Sequence, residues 1–272
     1  MNIVVNQKSY HVEVYGKGDP VMLLHGFTGS SLNWEQIIPI VEKNFQCILV
    51  DLIGHGKTDS PNDSYFYEIE SVGKDIISIL DKLLIEQAAF VGYSMGGRLA
   101  LSIAVNHPDR INKLVLESSS PGLRSEEERS ARKKSDEELA FKIERYGIDW
   151  FIDYWENIPL FQSQKSLALE TQTLIRKQRG HNNVIGLANS LRGMGTGSQP
   201  SYWDNLLTLS VPVLLICGEI DEKFCFLAVE MEKRLPKSRV EKIKDVGHAI
   251  HVEEPQLFGK IVSEFLFDPT DH

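Results

Sequence analysis

A serine lies between glycines in the stretch Ala88-Ala89-Phe90-Val91-Gly92-Tyr93-Ser94-Met95-Gly96-Gly97-Arg98, which joins an apolar run to a helix-forming run. In a Gly-x-Ser-x-Gly turn the serine occupies a tight strand-to-helix bend, usually with strained backbone angles. Glycines on either side leave room for neighbouring backbone to pass closely. The stretch therefore predicts that the Ser94 hydroxyl projects from the edge of a sheet and serves as a nucleophile or a base.

A serine hydroxyl needs a histidine to take its proton and a carboxylate to orient that histidine. The run 211–217 is apolar and strand-like, and Asp221 follows its carboxyl end. The run 239–243 alternates like a strand and leads to His248, before a helix that opens at Pro255. Ser94, Asp221 and His248 are therefore the predicted catalytic residues, in that chain order.

Simpler interpretations of these residues are also open. Asp221 could cap a helix, and His248 could be an exposed loop histidine. The nearest rivals are His251, which follows the predicted turn by three residues, and Asp245, which lies too close to His248 in sequence to approach it from a neighbouring strand. Both rivals rank below the triad because three positions agree with it independently.

An oxyanion site is predicted beside the serine. The apolar strand 21–24 ends in a loop that contains Phe27. A backbone N–H from such a loop, with the N–H of the residue after the serine, stabilises a developing oxyanion. The predicted donors are the amides of Phe27 and Met95. Three polar residues in this part of the chain are interpreted as structural: His25, Asp51 and His55.

Composition limits the class of protein. The chain has 272 residues, 42% of them hydrophobic, which suits one α/β domain with an insertion. No run approaches the length of a membrane span and the N-terminal residues look like a strand, so a cytoplasmic location is predicted. A net charge of −9 argues against nucleic-acid binding. No metal-ligand spacing is present, no cofactor is predicted, and three cysteines are interpreted as reduced apolar residues: Cys47, Cys217 and Cys225.

Strand-like and helix-like runs alternate along residues 1–120, ending in the strand-like run 113–117. This alternation predicts an α/β fold with a mostly parallel central sheet and helices on both faces. Residues 121–204 are predicted to form an inserted helical cap above Ser94, because they contain polar helical runs with aromatic patches. The core then resumes over 205–272.

Arginine is concentrated in the predicted cap. Residues 121–204 contain twelve Lys and Arg and twelve Asp and Glu, so the rest of the chain carries the whole net charge. Arginine binds carboxylates in a bidentate manner and stays charged when partly buried, which indicates an anionic ligand under the cap. Alternatively, most of these residues pair with acidic side chains on solvated helix faces. Seven of the eleven arginines lie here: Arg124, Arg129, Arg132, Arg145, Arg176, Arg179 and Arg192.

Arg98 stands out because it follows Ser94 by one helical turn in a stretch otherwise made of small and apolar residues. A buried guanidinium is costly unless it is paired. A general esterase has little use for a fixed cation there, whereas a substrate with carboxylates does.

These residues together resemble the α/β-hydrolase superfamily over essentially the whole chain. More narrowly, the chain resembles the 2-succinyl-6-hydroxy-2,4-cyclohexadiene-1-carboxylate synthase family of menaquinone biosynthesis. Beyond the triad turns, the resemblance rests on Gly92–Arg98, on Leu116–Leu123 with Glu128–Asp136, on Trp155–Phe161 with Arg179, and on Gly218–Phe224.

The resemblance implies a lyase on a hydrolase scaffold, which removes pyruvate from 2-succinyl-5-enolpyruvyl-6-hydroxy-3-cyclohexene-1-carboxylate without adding water. Ser94 would be the base, activated by His248 and Asp221, and the Phe27 and Met95 amides would hold the enolate oxygen. The implied substrate-binding residues are Arg98, Arg132, Arg179, Tyr93 and Trp155, with Arg176 as an alternative to Arg179.

Two other functions stay open on the sequence. A serine hydrolase acting on a carboxylate-bearing ester or a carbon–carbon diketone bond would use the same residues, and a ligand-binding receptor would not need the full triad. The expected partner is a small polycarboxylate substrate. The chain is expected to be a monomer or a small homo-oligomer.

Overall fold

The computed structural model describes residues 1–268. Its eight strands are β1 (Asn2–Val5), β2 (Lys8–Tyr15), β3 (Asp19–Leu24), β4 (Phe45–Val50), β5 (Ala88–Tyr93), β6 (Ile111–Glu117), β7 (Val213–Gly218) and β8 (Ser238–Ile243). They form one sheet in the order β1-β2-β4-β3-β5-β6-β7-β8. Only β1 with β2 and β2 with β4 pair in antiparallel fashion.

Helices connect the parallel strands. The α-helices in residues 1–268 are α1 (Ile38–Val41), α2 (Ile69–Lys82), α3 (Met95–Asn106), α4 (Glu126–Trp155), α5 (Leu169–Gly180), α6 (Val184–Met194), α7 (Glu222–Glu232), α8 (Ile250–Glu253) and α9 (Pro255–Phe267). Short 3₁₀ helices lie at Ser31–Trp34, Ser64–Tyr67, Pro108–Arg110, Pro159–Ser166 and Asn205–Thr208.

Two apolar layers cover the sheet. One contains Ile76 of α2 and Leu99 of α3, and the other contains Ile38 of α1 and Phe258 of α9. Every residue of β5 is buried, as is typical of a strand covered on both faces. The predicted mostly parallel sheet with helices on both faces is therefore confirmed.

The segment between β6 and β7 contains α4, α5 and α6 and has no strand within the described residues. It has an apolar core of its own, in which Phe151 of α4 and Leu187 of α6 are buried. The α4 helix is interrupted at Gly147, whose φ of 81° is outside the helical range. We call residues 121–204 the cap, and these bounds stay a prediction.

The three cysteines are free thiols, and burial raises the pKa of Cys47 to about 12, so this thiol stays protonated near neutral pH. Among residues 1–268, no helix combines the length and apolarity needed to cross a bilayer.

Candidate active site

The serine turn has the strained geometry that its sequence predicts. Ser94 lies between β5 and α3 with φ 49° and ψ −104°. Its N–H donates to the carbonyl of Glu117 at 2.9 Å, which fixes the turn to the end of β6. A Cβ on Gly96 would lie 2.0 Å from the carbonyl oxygen of Leu24, so the glycine allows α3 to begin directly against the end of β3.

The predicted triad is assembled by hydrogen bonds. The His248 Nδ1 and Asp221 Oδ2 atoms are 2.5 Å apart, and the His248 Nε2 and Ser94 Oγ atoms are 3.2 Å apart. The His248 side chain is 1% exposed and that of Asp221 is 7% exposed. Each residue follows the carboxyl end of a parallel strand, and these ends meet at one edge of the sheet.

Asp221 also caps a helix, so the capping interpretation is confirmed, and its catalytic role stays a prediction that the geometry supports. Its Oδ1 accepts the N–H of Phe224 at 3.3 Å at the start of α7, while its Oδ2 faces His248. The interpretation of His248 as an exposed loop residue is wrong, because its side chain is buried.

Neither rival belongs to the triad. The Asp245 side chain is 84% exposed and lies beside Lys244. His251 is buried, and its backbone N–H and Nδ1 lie 3.0 and 2.9 Å from Glu117 Oε1. The Glu117–His251 pair therefore fastens α8, just after His248, to the end of β6.

The oxyanion loop borders the same cavity as the triad. Within residues 1–268, the backbone hydrogen bonds of turns and loops include none that is donated by the N–H of Phe27 or of Met95. His25 Nδ1 lies 2.8 Å from the Gly26 carbonyl, and the Leu52 N–H donates to His25 Nε2 at 2.9 Å. This pattern requires a neutral imidazole, and burial lowers the pKa of His25 accordingly. The interpretation of His25 as a brace is confirmed.

Asp51 and His55 also hold the loops at this edge. Asp51 accepts the N–H groups of Ser31 at 2.6 Å and Lys57 at 2.8 Å. The His55 ring lies 5.2 Å from the His25 ring, and burial together with His25 lowers the pKa of His55 to about 3. Both therefore have the structural roles that the sequence analysis gives them.

A cavity of about 340 Å³ lies between the triad and the cap. Tyr93 lines it from the sheet edge and Trp155 from the end of α4. The Trp155 ring meets the Phe27 ring edge to face, with 5.3 Å between centroids. The cap thus closes over both the serine and the oxyanion loop. No cluster of three or more possible metal ligands occurs in the described part of the chain.

Arg98 lines this cavity but has only neutral hydrogen-bond partners in the described structure. Its Nη1 donates to the Met194 carbonyl at 2.7 Å and to the side-chain oxygen of Gln199. Burial, followed by the neighbouring Arg132, lowers the pKa of Arg98 to about 10. A half-buried cation in this position is therefore suited to an anionic ligand.

The cap arginines differ in their surroundings. Arg132 lines the triad cavity and its Nε donates to Asp136 Oδ1 at 2.8 Å. Arg179 is 7% exposed, and its guanidinium packs over the Phe161 ring in neighbouring cavities that Ser94 does not line. Arg176 is on the surface and pairs with Asp153 and Glu156. The structure therefore favours Arg179 over Arg176 as the buried residue of this pair.

Lys223 is a cation of the cavity that the sequence analysis did not assign to the site. It lies on the first turn of α7, two residues after Asp221, and lines the triad cavity with Arg98 and Arg132. The position of Lys223 two residues after Asp221 could have predicted this role, because a helix that starts at the triad has its first turn along the cavity wall.

The fold and this site define an α/β hydrolase in the structural sense of the term. A family model described as "alpha/beta hydrolase fold" matches residues 19–255. A Bacillus subtilis protein that carries the name 2-succinyl-6-hydroxy-2,4-cyclohexadiene-1-carboxylate synthase is 50% identical over 91% of this chain and 90% of its own length. The chain therefore belongs to the 2-succinyl-6-hydroxy-2,4-cyclohexadiene-1-carboxylate synthase family.

Solved structures share the fold, and one of them also agrees with the family. The structure of MenH from S. aureus is 36% identical, covers 94% of this chain and 97% of its own, and gives a TM-score of 0.91. A thermophilic esterase from Thermogutta terrifontis, titled as malate bound, is 26% identical with a TM-score of 0.85 over 95% of this chain and 93% of its own.

Proposed function

We propose that this protein eliminates pyruvate from 2-succinyl-5-enolpyruvyl-6-hydroxy-3-cyclohexene-1-carboxylate to give 2-succinyl-6-hydroxy-2,4-cyclohexadiene-1-carboxylate. The observation that carries the proposal is that Ser94 and His248 line one cavity together with three cations, Arg98, Arg132 and Lys223. A catalytic serine surrounded by cations suits a polycarboxylate. Membership of the synthase family supports the same reaction. The cytoplasmic location is a further part of the proposal.

The triad supplies the base. His248, held by Asp221, takes the hydroxyl proton of Ser94, and the Ser94 oxygen then removes the proton from the carbon beside the succinyl ketone. The carbon–oxygen bond to the enolpyruvyl group breaks as the ring gains its second double bond. The leaving enolate takes the proton that His248 holds and becomes pyruvate, so the triad keeps the proton from the substrate carbon and no water is consumed.

The cavity stabilises the charge that develops. The Phe27 and Met95 amides hold the enolate oxygen, where fixed donors are most effective. Arg98, Arg132 and Lys223 bind carboxylates near the ring. Arg179 binds the carboxylate of the most extended arm, which requires the Phe161 ring to turn aside because that ring separates Arg179 from the triad cavity.

Product analysis tests the proposal. Purified protein given the enolpyruvyl substrate should release one pyruvate for each cyclohexadiene formed, with both measured by chromatography and mass spectrometry. The Ser94→Ala variant is the matched control for spontaneous elimination. Equal rates with the wild type and Ser94→Ala would contradict the proposal.

A serine hydrolase is the second candidate, because the same triad and oxyanion amides can serve acyl transfer and one similar structure is titled an esterase. The two functions differ in whether Ser94 attacks carbon or removes a proton. Rapid quenching followed by intact-protein mass spectrometry separates them. The lyase should show no substrate-derived adduct on Ser94 during turnover, whereas a hydrolase should accumulate an acyl-enzyme.

A further inference from the structure

Two buried glutamines hold the arginines that face the cavities under the cap. Arg98 Nη1 donates to the side-chain oxygen of Gln199, and Arg179 Nη2 donates to Gln164 Oε1 at 3.1 Å. Gln199 is 1% exposed and Gln164 is 8% exposed. Because a guanidinium group has only donors, the atom that faces it must be the amide oxygen. The two arginines therefore fix the orientation of both side-chain amides.

Most other arginines of the cap bond to carboxylates. Arg132, for example, donates to Asp136 at 2.8 Å. Arg98 and Arg179 form no ion pair within residues 1–268, although Asp136 is close enough to act on the charge of Arg98. An ionised acceptor makes the stronger hydrogen bond, so a neutral acceptor at these two positions needs a physical reason. Carboxylates pair with five cap arginines: Arg124, Arg129, Arg132, Arg176 and Arg192.

The Gln199 side chain is fixed in place at a cost. A Cβ on Gly122, which lines the triad cavity, would lie 2.8 Å from Gln199 Nε2, so the amide packs closely against this backbone. The same Nε2 is buried without a hydrogen-bond partner in the described part of the chain. A buried donor without a partner lowers stability, and an apolar side chain would avoid this loss. The amide oxygen that accepts from Arg98 is the feature that an apolar side chain could not supply.

The bonds that Arg98 makes leave donors for a ligand. Both of its bonds, to Gln199 and to the Met194 carbonyl at 2.7 Å, come from Nη1. Nε and Nη2 of Arg98 have no partner among the described residues, and Arg98 lines the cavity that contains Ser94. The guanidinium is therefore held on one side and keeps its full charge and two nitrogen atoms for a carboxylate.

We propose that Gln199 and Gln164 are positioning residues that orient Arg98 and Arg179 through neutral acceptors and leave the positive charges to substrate carboxylates. The identity of the substrate rests on the proposed function, but the need for a neutral acceptor holds for any anionic ligand at these arginines. A glutamate at either position would form an ion pair with its arginine, and a carboxylate of the ligand would then have to compete with it.

Equilibrium binding tests the proposal. Gln199→Glu and Gln164→Glu are made in the Ser94→Ala background, so that isothermal titration calorimetry measures binding of the enolpyruvyl substrate without turnover. Each glutamate variant should weaken this binding by about 30-fold or more, as expected when an arginine no longer has its charge free for the ligand. Succinate, a dicarboxylate without a reacting group, is the second ligand, and its binding should weaken to a similar degree in Gln199→Glu.

Variants of matched shape separate charge from bracing. Gln199→Met and Gln164→Met keep the length of the side chain and remove the acceptor, so the arginine stays unpaired and binding should stay within about threefold of the parent. Gln162→Glu adds the same charge at an exposed position of the cap segment Pro159–Ser166 and should stay within about twofold.

A purely bracing role predicts the opposite order. Glutamate accepts more strongly than glutamine, so the glutamate variants would bind the ligands as well as the parent does, and the methionine variants would bind them poorly. That order, or an equal loss in Gln162→Glu, would overturn the proposal, and a loss at one position alone would overturn it for the other arginine. Thermal unfolding shows that the compared proteins are folded. If a glutamate variant does not fold, the methionine variant decides, since a loss as large as that of Arg98→Ala or Arg179→Ala would mean that the glutamine only braces.

The two ligands keep this proposal distinct from the proposed function. If succinate binding depends on Gln199 as expected and the enolpyruvyl substrate does not bind, the proposed function fails and the role of Gln199 stands. If the substrate binds equally well to the parent and to both glutamate variants, the role of the glutamines fails and the proposed function stands. If neither ligand binds the parent, both proposals fail.

Discussion

Ser94 has a strained backbone and a reactive hydroxyl, and only its chemistry explains why both occur at one residue. Its φ of 49° is in a region that L-residues with a side chain rarely adopt, and the same residue carries the reactive hydroxyl. Glycine would relieve the backbone cost but remove the base. The strained backbone at Ser94 is therefore retained because it projects the hydroxyl toward His248.

Substitution at Ser94 should separate activity from stability. Ser94→Ala and Ser94→Gly should both lower kcat by at least about three orders of magnitude, because the base is lost. Ser94→Gly should exceed Ser94→Ala in free energy of unfolding by about 1 kcal/mol, since only glycine relieves the strain. Steady-state kinetics and urea denaturation measure the two effects. A variant that retains a tenth of the normal kcat would remove Ser94 from the mechanism.

Arg98 and Arg132 should raise kcat/KM through the charge and the planar shape of their guanidinium groups. Replacing Arg98 by Ala should cost about 2–4 kcal/mol in kcat/KM, as expected when one partner of a buried charge pair is removed. Replacing Arg132, whose side chain is 42% exposed, should cost less because solvent screens its charge. Lys should rescue each only in part, because a point charge does not reproduce the bidentate fork.

Surface arginines serve as controls for this series. Arg176, paired with Asp153 on the cap surface, and Arg239, beside Glu241, should change kcat/KM by less than about twofold when replaced by Ala. Equal small losses at Arg98, Arg132 and the controls would mean that the arginines of the cavity do not bind substrate.

At the level of elements, the start of α3 depends on its contact with the end of β3. Gly96→Ala should lower kcat by about 100-fold or more and reduce stability by about 2 kcal/mol, because its Cβ would overlap the carbonyls of Leu24 and His25 and displace the oxyanion loop. Gly180→Ala at the end of α5 is the matched control, since its Cβ would meet only Ile152 at 3.6 Å. Kinetics and thermal unfolding of both variants test this; similar behaviour would show that the contact tolerates a methyl group.

The loop after β4 should make stability depend on pH. The pKa of His55 is lowered to about 3 in the folded protein, whereas an unfolded chain protonates histidine near pH 6.5. Because the folded pKa is the lower one, stability from neutral His55 is present above about pH 6.5 and is lost as pH falls toward 3. Between pH 7 and pH 5 the free energy of unfolding should fall by about 2 kcal/mol from this residue.

Urea denaturation of His55→Gln at both pH values checks this effect, because glutamine cannot titrate. The dependence of the free energy of unfolding on pH, its slope between pH 7 and pH 5, should become smaller in this variant. The buried His25 should account for the part that remains. Replacing the exposed His181 by Gln should leave the slope as it is in the wild type. An unchanged slope in His55→Gln would show that another group controls acid sensitivity.

Across the whole molecule, the core was easier to predict than the cap. Ser94, Asp221 and His248 each follow a strand, and the carboxyl ends of parallel strands meet, so chain order alone brought the triad together. The cap has no such rule. Whether Arg179 enters the triad cavity depends on how helices pack between distant segments. The bond from Ser163 to Glu253 spans 90 residues, and no local pattern marks it.

The Phe161 ring separates the triad cavity from the cavities beside Arg179. A substrate that is bound by Arg179 must therefore extend from one into the other. Phe161 lines the triad cavity and also the cavities of Arg179, and the guanidinium packs 5.0 Å from its ring centroid. Arg179→Ala should therefore raise KM about 10-fold or more with a smaller change in kcat, because it holds a carboxylate remote from the reacting carbon.

Gln164 provides the control for a bracing role, since its Oε1 accepts from Arg179 Nη2 at 3.1 Å. If Arg179 only braces the cap, Gln164→Ala should raise KM as much as Arg179→Ala does. If Arg179 binds substrate, Gln164→Ala should leave KM within about threefold of the wild type, because the cation remains. Phe161→Ala should then lower KM, since it removes the ring that separates the two cavities. Steady-state kinetics on the three variants measures this, and a KM in Arg179→Ala equal to that of the wild type would restrict carboxylate binding to the triad cavity.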